Sequence, residues 1–129
     1  MSTATDLYSF AEKLMLDFKT YHHSDVYRRA VINRLYYSAY HASKAYHNGL
    51  SCPGSVGNSR GVHEQLISSL ANPTIPKGDE YYKSKAIAKA LRIAITNRAK
   101  ADYVLDEKID DDEFDETIFN CKLIIEKAV

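Results

Sequence analysis

The sequence predicts an all-α fold, an up-and-down bundle of four to five helices in a single domain of 129 residues. Three observations lead there. Apolar residues recur at helical spacing in four long segments and one short one. Gly, Pro, Ser and Asn gather in the connections between those segments. No stretch alternates with the period of two that a half-buried strand requires.

Taken in order, residues 4 to 19 place Leu7, Phe10, Ala11, Leu14 and Phe18 at offsets that share one helical face. "TYHHSD" is a short turn in which Ser24 or Asp25 accepts the free amide hydrogens that open the next helix. That second helix runs from about Asp25 to His47, and "NG" at 48 to 49 is expected to end it through a residue able to take positive φ. "GLSCPGSVGNSRG" is an irregular loop, expected to be the most mobile segment. A short third helix covers Val62 to Ala71 and stops before "NPTIPKG", where Pro73 and Pro76 disfavour continuation.

The fourth helix runs from Asp79 to about Ala101, with Ile87, Leu91, Ala94, Arg98 and Ala101 on one face and Lys85, Lys89 and Arg92 as a basic stripe on another. After the break at "DYVLDEKID", Phe114, Ile118, Cys121, Ile125 and Ala128 line a final helix. Neighbouring helices are expected to run mostly antiparallel, because the connections are brief.

A composition of 45% hydrophobic and 26% charged residues is that of a globular chain. No run approaches the ~18 apolar residues of a membrane-spanning helix. The start, "MSTATDLYSFAEKL", lacks the basic region and long apolar block of a secretory signal, so the expected location is cytoplasmic and no membrane partner is expected. Cys52, in the loop, and Cys121, on a helical stripe, suit a reduced pair better than a disulfide framework. The zero net charge hides an asymmetry: 14 Lys+Arg face 7 Asp+Glu up to Ala101, and 3 face 10 from Asp102 onward. The acidic end either shields the basic body or favours the positive end of the last helix's dipole.

"RRAVINRLYYSAYHASKAY" resembles the second helix of the HEPN family, small helical-bundle proteins of prokaryotic toxin, defence and nucleotide-handling systems. "VHEQLISSL" is similar to that family's segment after the mobile loop, and "ALRIAITNRAKADYVLDEKIDDDEFDETIFNCKLIIEKA" to its last two helices. The resemblance runs from about Asp25 to Ala128 and implies a HEPN-like four- or five-helix bundle and homodimerisation. In many members it also implies metal-independent cleavage of RNA by an arginine followed, after four to six intervening residues, by a histidine. Arg34 and His41, with six residues between them, meet the loosest form of that pattern. The familiar motif generally sits on the later helix, where this chain has Asn97 and Arg98 but Asp102 in place of a histidine.

Metal-free RNA cleavage needs a base for the 2′-hydroxyl, an acid for the leaving oxygen and positive charge on the phosphorane-like transition state. Histidine suits the first two roles near neutral pH, and arginine the third through bidentate contacts. Seven positions apart on a helix, Arg34 and His41 point within about 20° of each other but lie ~10.5 Å apart along the axis. A two-fold dimer would relieve this by pairing Arg34 of one subunit with His41 of the other. Tyr36, Tyr37 and Tyr40 read as amphipathic core or interface residues whose hydroxyls find partners at an edge.

Lys85, Lys89, Arg92 and Arg98 are the candidates to follow a nucleic-acid backbone; the favoured alternatives are a solvated helix face for the first three and, for the fourth, an i,i+4 ion pair of Arg98 with Asp102, beside Tyr103. His22, His23, His47 and His63 lack a helical two-histidine metal spacing, and "PGSVGNSRG" lacks the lysine of a phosphate-cradling loop, so neither a metal nor another cofactor is expected. The leading expectation is a dimeric HEPN protein acting on or binding RNA, the toxic or effector half of a toxin-antitoxin or defence system with an antitoxin as partner. The alternatives are a non-catalytic interaction module that pairs with a nucleotidyltransferase or another subunit, and a nucleotide-binding bundle.

Overall fold

A computed structural model describes residues 2–128, and among them forms five α-helices and no strand. They are α1 (Ala4–Asp17), α2 (Asp25–Asn48), α3 (Val62–Ala71), α4 (Asp79–Tyr103) and α5 (Asp111–Ala128), with a 3₁₀ turn at Lys19–Tyr21 between the first two. They pack as a helical bundle in which α2 touches all four other helices and α4 lies against α2, α3 and α5.

Local chemistry sets the helix ends. Thr3 and Asp6 form a reciprocal capping box on α1: the Thr3 hydroxyl accepts from the Asp6 amide at 3.1 Å, and the Asp6 carboxylate from the Thr3 amide at 2.9 Å. Ser24, not Asp25, caps α2 by accepting from the Tyr27 amide at 3.3 Å. Asp110 and Glu113 form a second reciprocal pair at α5, at 2.7 and 3.0 Å, and Asp111, Asp112 and Glu113 put the acidic charge against the positive end of that helix.

Gly49 corrects the expectation at the end of α2. Its φ is −85°, so the helix stops in a right-handed conformation; the positive φ values belong to Gly57 and to Gly61, which opens α3 at φ 82°. The loop before α3 is irregular, as expected, yet tied down. The Gly54 amide donates to His47 Nε2 at 3.1 Å, the Ser55 amide to the Asn72 carbonyl at 2.9 Å and the Thr74 hydroxyl to the Pro53 carbonyl at 2.7 Å. A Cβ on Gly54 would fall 1.8 Å from the Ser69 carbonyl oxygen, so only glycine fits where the loop crosses α3.

Ile32, Leu35, Tyr36 and Ala39 of α2 meet Ile87, Leu91 and Ala94 of α4, Phe114, Cys121 and Ile124 of α5, and Leu70 of α3 in one continuous core. Two predicted faces shift. On α1 the buried residues are Tyr8 and Ala11, while Phe10 and Phe18 remain 52% and 47% exposed. On α5 Phe114 and Cys121 are buried as expected, but Thr117, Asn120 and Ile124 complete the buried line and Ile118 and Ile125 flank it. Polar residues can hold those positions because the helix satisfies them: Thr117 donates to the Glu113 carbonyl at 2.8 Å and Asn120 to the Glu116 carbonyl at 2.8 Å. Both cysteines are free, Cys52 exposed and Cys121 buried, and burial pushes the Cys121 thiol up to about 12. Among the described residues, no helix is long and apolar enough to cross a membrane.

Candidate functional site

The tyrosine-rich middle of α2 divides by face. Tyr36 is fully buried and Tyr40 nearly so, Tyr37 is half-buried, and Arg34 and His41 stand exposed on the outer surface. The Arg34 guanidinium lies 6.0 Å from the ring centre of Phe10 on α1, and the His41 ring meets Tyr40 edge-on at 5.3 Å. No hydrogen bond among the described residues holds either head group, and none joins the two.

Tyr37 connects this surface to α4. Its hydroxyl accepts from Arg98 Nη2 at 2.8 Å, and the Arg98 guanidinium lies 5.3, 5.5 and 5.6 Å from the ring centres of Tyr37, Tyr36 and Tyr103. Arg98 and Asp102 do pair: Nε and Oδ2 are 2.8 Å apart, though misaligned for a hydrogen bond, so charge holds the contact. Asn33 of α2 also donates to both Asp102 oxygens, at 3.3 and 3.4 Å. Exposed Tyr103 therefore covers the guanidinium from the solvent side, while Tyr36 and Tyr37 flank it from α2.

The other member of this cluster is His63, in the first turn of α3. Its Nδ1 lies 2.5 Å from the Tyr36 hydroxyl, and its ring packs 4.5 Å from Tyr40, 5.6 Å from Tyr36 and 6.3 Å from Tyr37, centre to centre. Partial burial holds its pKa below the usual histidine value, and the nearby Arg98 charge pushes the same way. Burial raises the Tyr36 phenol well above its ordinary range, so it stays protonated at neutral pH.

The basic stripe occupies the groove between α3 and α4. Lys85, Lys89 and Arg92 border a shallow depression with Ile67, Ser68 and Asn72. Lys85 lies over the Tyr81 ring at 5.5 Å, and Arg92 donates to Glu64 at 2.6 Å. That bond holds the Glu64 carboxyl below its ordinary range and largely offsets the Arg92 charge. Lys85 and Lys89 are the stripe's exposed cations without a salt bridge among the described residues.

The structure thus brings Arg98 to the α2 surface beside Tyr37, keeps Arg34 and His41 on the same helix, and places Lys85, Lys89 and Arg92 against α3. Sequence reasoning missed His63, because its partners come from α2 and its spacing to Arg98 fits no local motif. The one signal in the sequence was a histidine placed in a first helical turn. Among the described residues, no group of three or more His, Cys, Asp and Glu side chains stands together as a metal site. No family model, no curated protein and no solved structure matches the chain, so the HEPN resemblance rests on its residue pattern and helix order.

Proposed function

We propose that this bundle is a HEPN-like protein that acts on RNA as a homodimer, with Arg34 of one subunit and His41 of the other sharing one phosphodiester. The observation that carries the reading is the outer face of α2. Arg34 and His41 stand exposed there on either side of Tyr37, which in turn holds Arg98. In this arrangement Arg34 stabilises charge on the phosphate oxygens and His41 moves the proton. The ~10.5 Å axial offset within one helix is why a second subunit is required. Following the resemblance, the cellular role is that of a toxin or defence effector acting in the cytoplasm.

The test is cleavage of a tRNA or a mixed RNA pool by the purified protein in EDTA. Arg34→Ala and His41→Ala are each expected to reduce the rate by about 10²- to 10⁴-fold. Wild-type protein that neither cleaves nor binds RNA would remove the reading.

A second reading is a non-catalytic interaction module whose surface pairs with a nucleotidyltransferase or another subunit. It is favoured by the Arg98–Asp102 pair, since an acidic residue occupies the place where the family's later motif has its histidine. Co-purification of such a partner in a stable complex, together with intact RNA in the cleavage assay, selects it.

A further inference from the structure

Two nitrogen head groups at the tyrosine cluster, those of Arg98 and His63, each keep an accessible N–H without an acceptor among the described residues. Arg98 directs Nη2 to Tyr37 and Nε toward Asp102; Nη1 takes part in no hydrogen bond among the described residues and is not buried. The second donor follows from the His63 network. The Tyr36 hydroxyl is buried and protonated, and its hydrogen-bond partner is His63 Nδ1, so the phenol donates and Nδ1 accepts. The proton of the neutral imidazole then sits on Nε2, which likewise has no partner among the described residues.

The two side chains are neighbours. Both side chains lie against the rings of Tyr36 and Tyr37, and burial first and the Arg98 charge second disfavour protonation of His63. The charged and titratable groups that face His63 are Tyr36, Tyr37 and Tyr40 from α2, Arg98 from α4 and its own neighbour Glu64 on α3, whose carboxylate is engaged by Arg92. An anion beside Arg98 would both complete the two unused donors and relieve the opposition between the guanidinium and a protonated imidazole.

The geometry points to a phosphate-binding pair, His63 Nε2–H from α3 and Arg98 Nη1 from α4, that takes a phosphodiester oxygen of RNA next to the α2 surface. A guanidinium nitrogen with unused hydrogens and an imidazole N–H match the oxygen acceptors of a phosphate. Locking the histidine tautomer through a buried phenol makes His63 a donor to the ligand rather than a base. This inference rests on the RNA reading for the source of the phosphate, but the phosphate chemistry itself can be tested separately.

The experiment follows the His63 ring signals by NMR in the full chain, titrated with inorganic phosphate and separately with a 2′-O-methyl RNA oligonucleotide, which offers no 2′-hydroxyl for cleavage. Both ligands are expected to shift those signals and to raise the His63 pKa. His63→Gln and Arg98→Gln should each weaken the oligonucleotide by about tenfold, and Arg98→Gln should reduce the slope of log K against log salt by about one. Arg98→Lys, which keeps the charge and loses the fork, checks that weakening does not reflect a damaged fold. A phosphate response without any oligonucleotide binding supports the pair as a site for a small phosphate and overturns RNA as its source. Tight oligonucleotide binding that neither variant weakens, or His63 signals unmoved by either ligand, overturns the pair while leaving the cleavage test of Arg34 and His41 standing.

Discussion

Arg28 and Arg29 at the start of α2, and Arg34 with Arg98 around its middle, are one residue type in two situations. Arg28 is 4% exposed and uses its whole fork: it donates to the His22 carbonyl at 2.9 Å, the Ile109 carbonyl at 3.0 Å and Asp111 at 2.5 Å, with its guanidinium 5.3 Å from the Phe114 ring centre. Arg29 pairs with Asp25 at 2.7 Å and donates to the carbonyls of Lys100, Ala101, Val104 and Glu107. Asp25 in turn accepts from the Ile109 amide at 2.8 Å. Together they fasten the α4–α5 connection onto α2. Around the middle, Arg34 lies on the surface and Arg98 keeps one nitrogen unused. Charge whose donors are all satisfied inside the protein serves the fold, and charge with donors left over is available to a ligand.

The largest effect should come from breaking the saturated end. Arg28→Ala strips the His22 and Ile109 carbonyls of their donor and leaves a gap against Phe114, and is expected to cost about 2 to 4 kcal/mol in urea unfolding. RNA affinity per folded molecule should be unchanged. Next, Asp102→Asn releases Arg98 from its ion pair, and a several-fold gain in RNA affinity is expected with less than about 1 kcal/mol lost in stability. Weaker RNA binding by that variant would mean that Asp102 is needed to orient the guanidinium.

Acidification should separate the two regions. His63 and His47 both have pKa values held below 6.5 by burial, and neutral His47 is needed to accept from the Gly54 amide. For a depressed folded pKa the stabilisation is present above the unfolded value and is lost as pH falls through the folded one. The α3 end and its loop should therefore loosen below about pH 6.5. Asp25 and Asp111 are held below 3.8 chiefly by hydrogen bonds from Arg29 and Arg28, so the same rule keeps the start of α2 closed until well into the acid range. Amide hydrogen exchange against pH reads both; simultaneous opening of the two regions would contradict the comparison. The smallest effect is reserved for Lys85→Ala and Lys89→Ala, exposed changes expected to move stability by no more than about 0.5 kcal/mol and to lower the salt slope of RNA binding only if the stripe touches phosphate.

Much of the fold was legible because the helices announce themselves locally. The apolar period places the second, third and fourth helices within a residue or two, and the Pro and Gly clusters mark the breaks. The period could not tell which apolar residues on α1 find a partner, and so it buried Phe10 and Phe18, which stand at the edge of the bundle. On α5 it passed over Thr117 and Asn120, because their burial depends on hydrogen bonds back to their own helix. The ion pair of Arg98 and Asp102 was readable from i,i+4 spacing. The roles of Arg28, Arg29 and His63 were not, since each depends on groups some 27 to 83 positions away in the chain.

The claim that Arg34 and His41 act across a dimer is tested most directly by mixing two inactive variants. In a heterodimer of Arg34→Ala and His41→Ala subunits, one of the two composite sites is intact, so an equal mixture should recover about a quarter of the wild-type rate of RNA cleavage. A mixture that stays as inactive as either variant alone, under conditions where subunits exchange and the wild type cleaves, would contradict it.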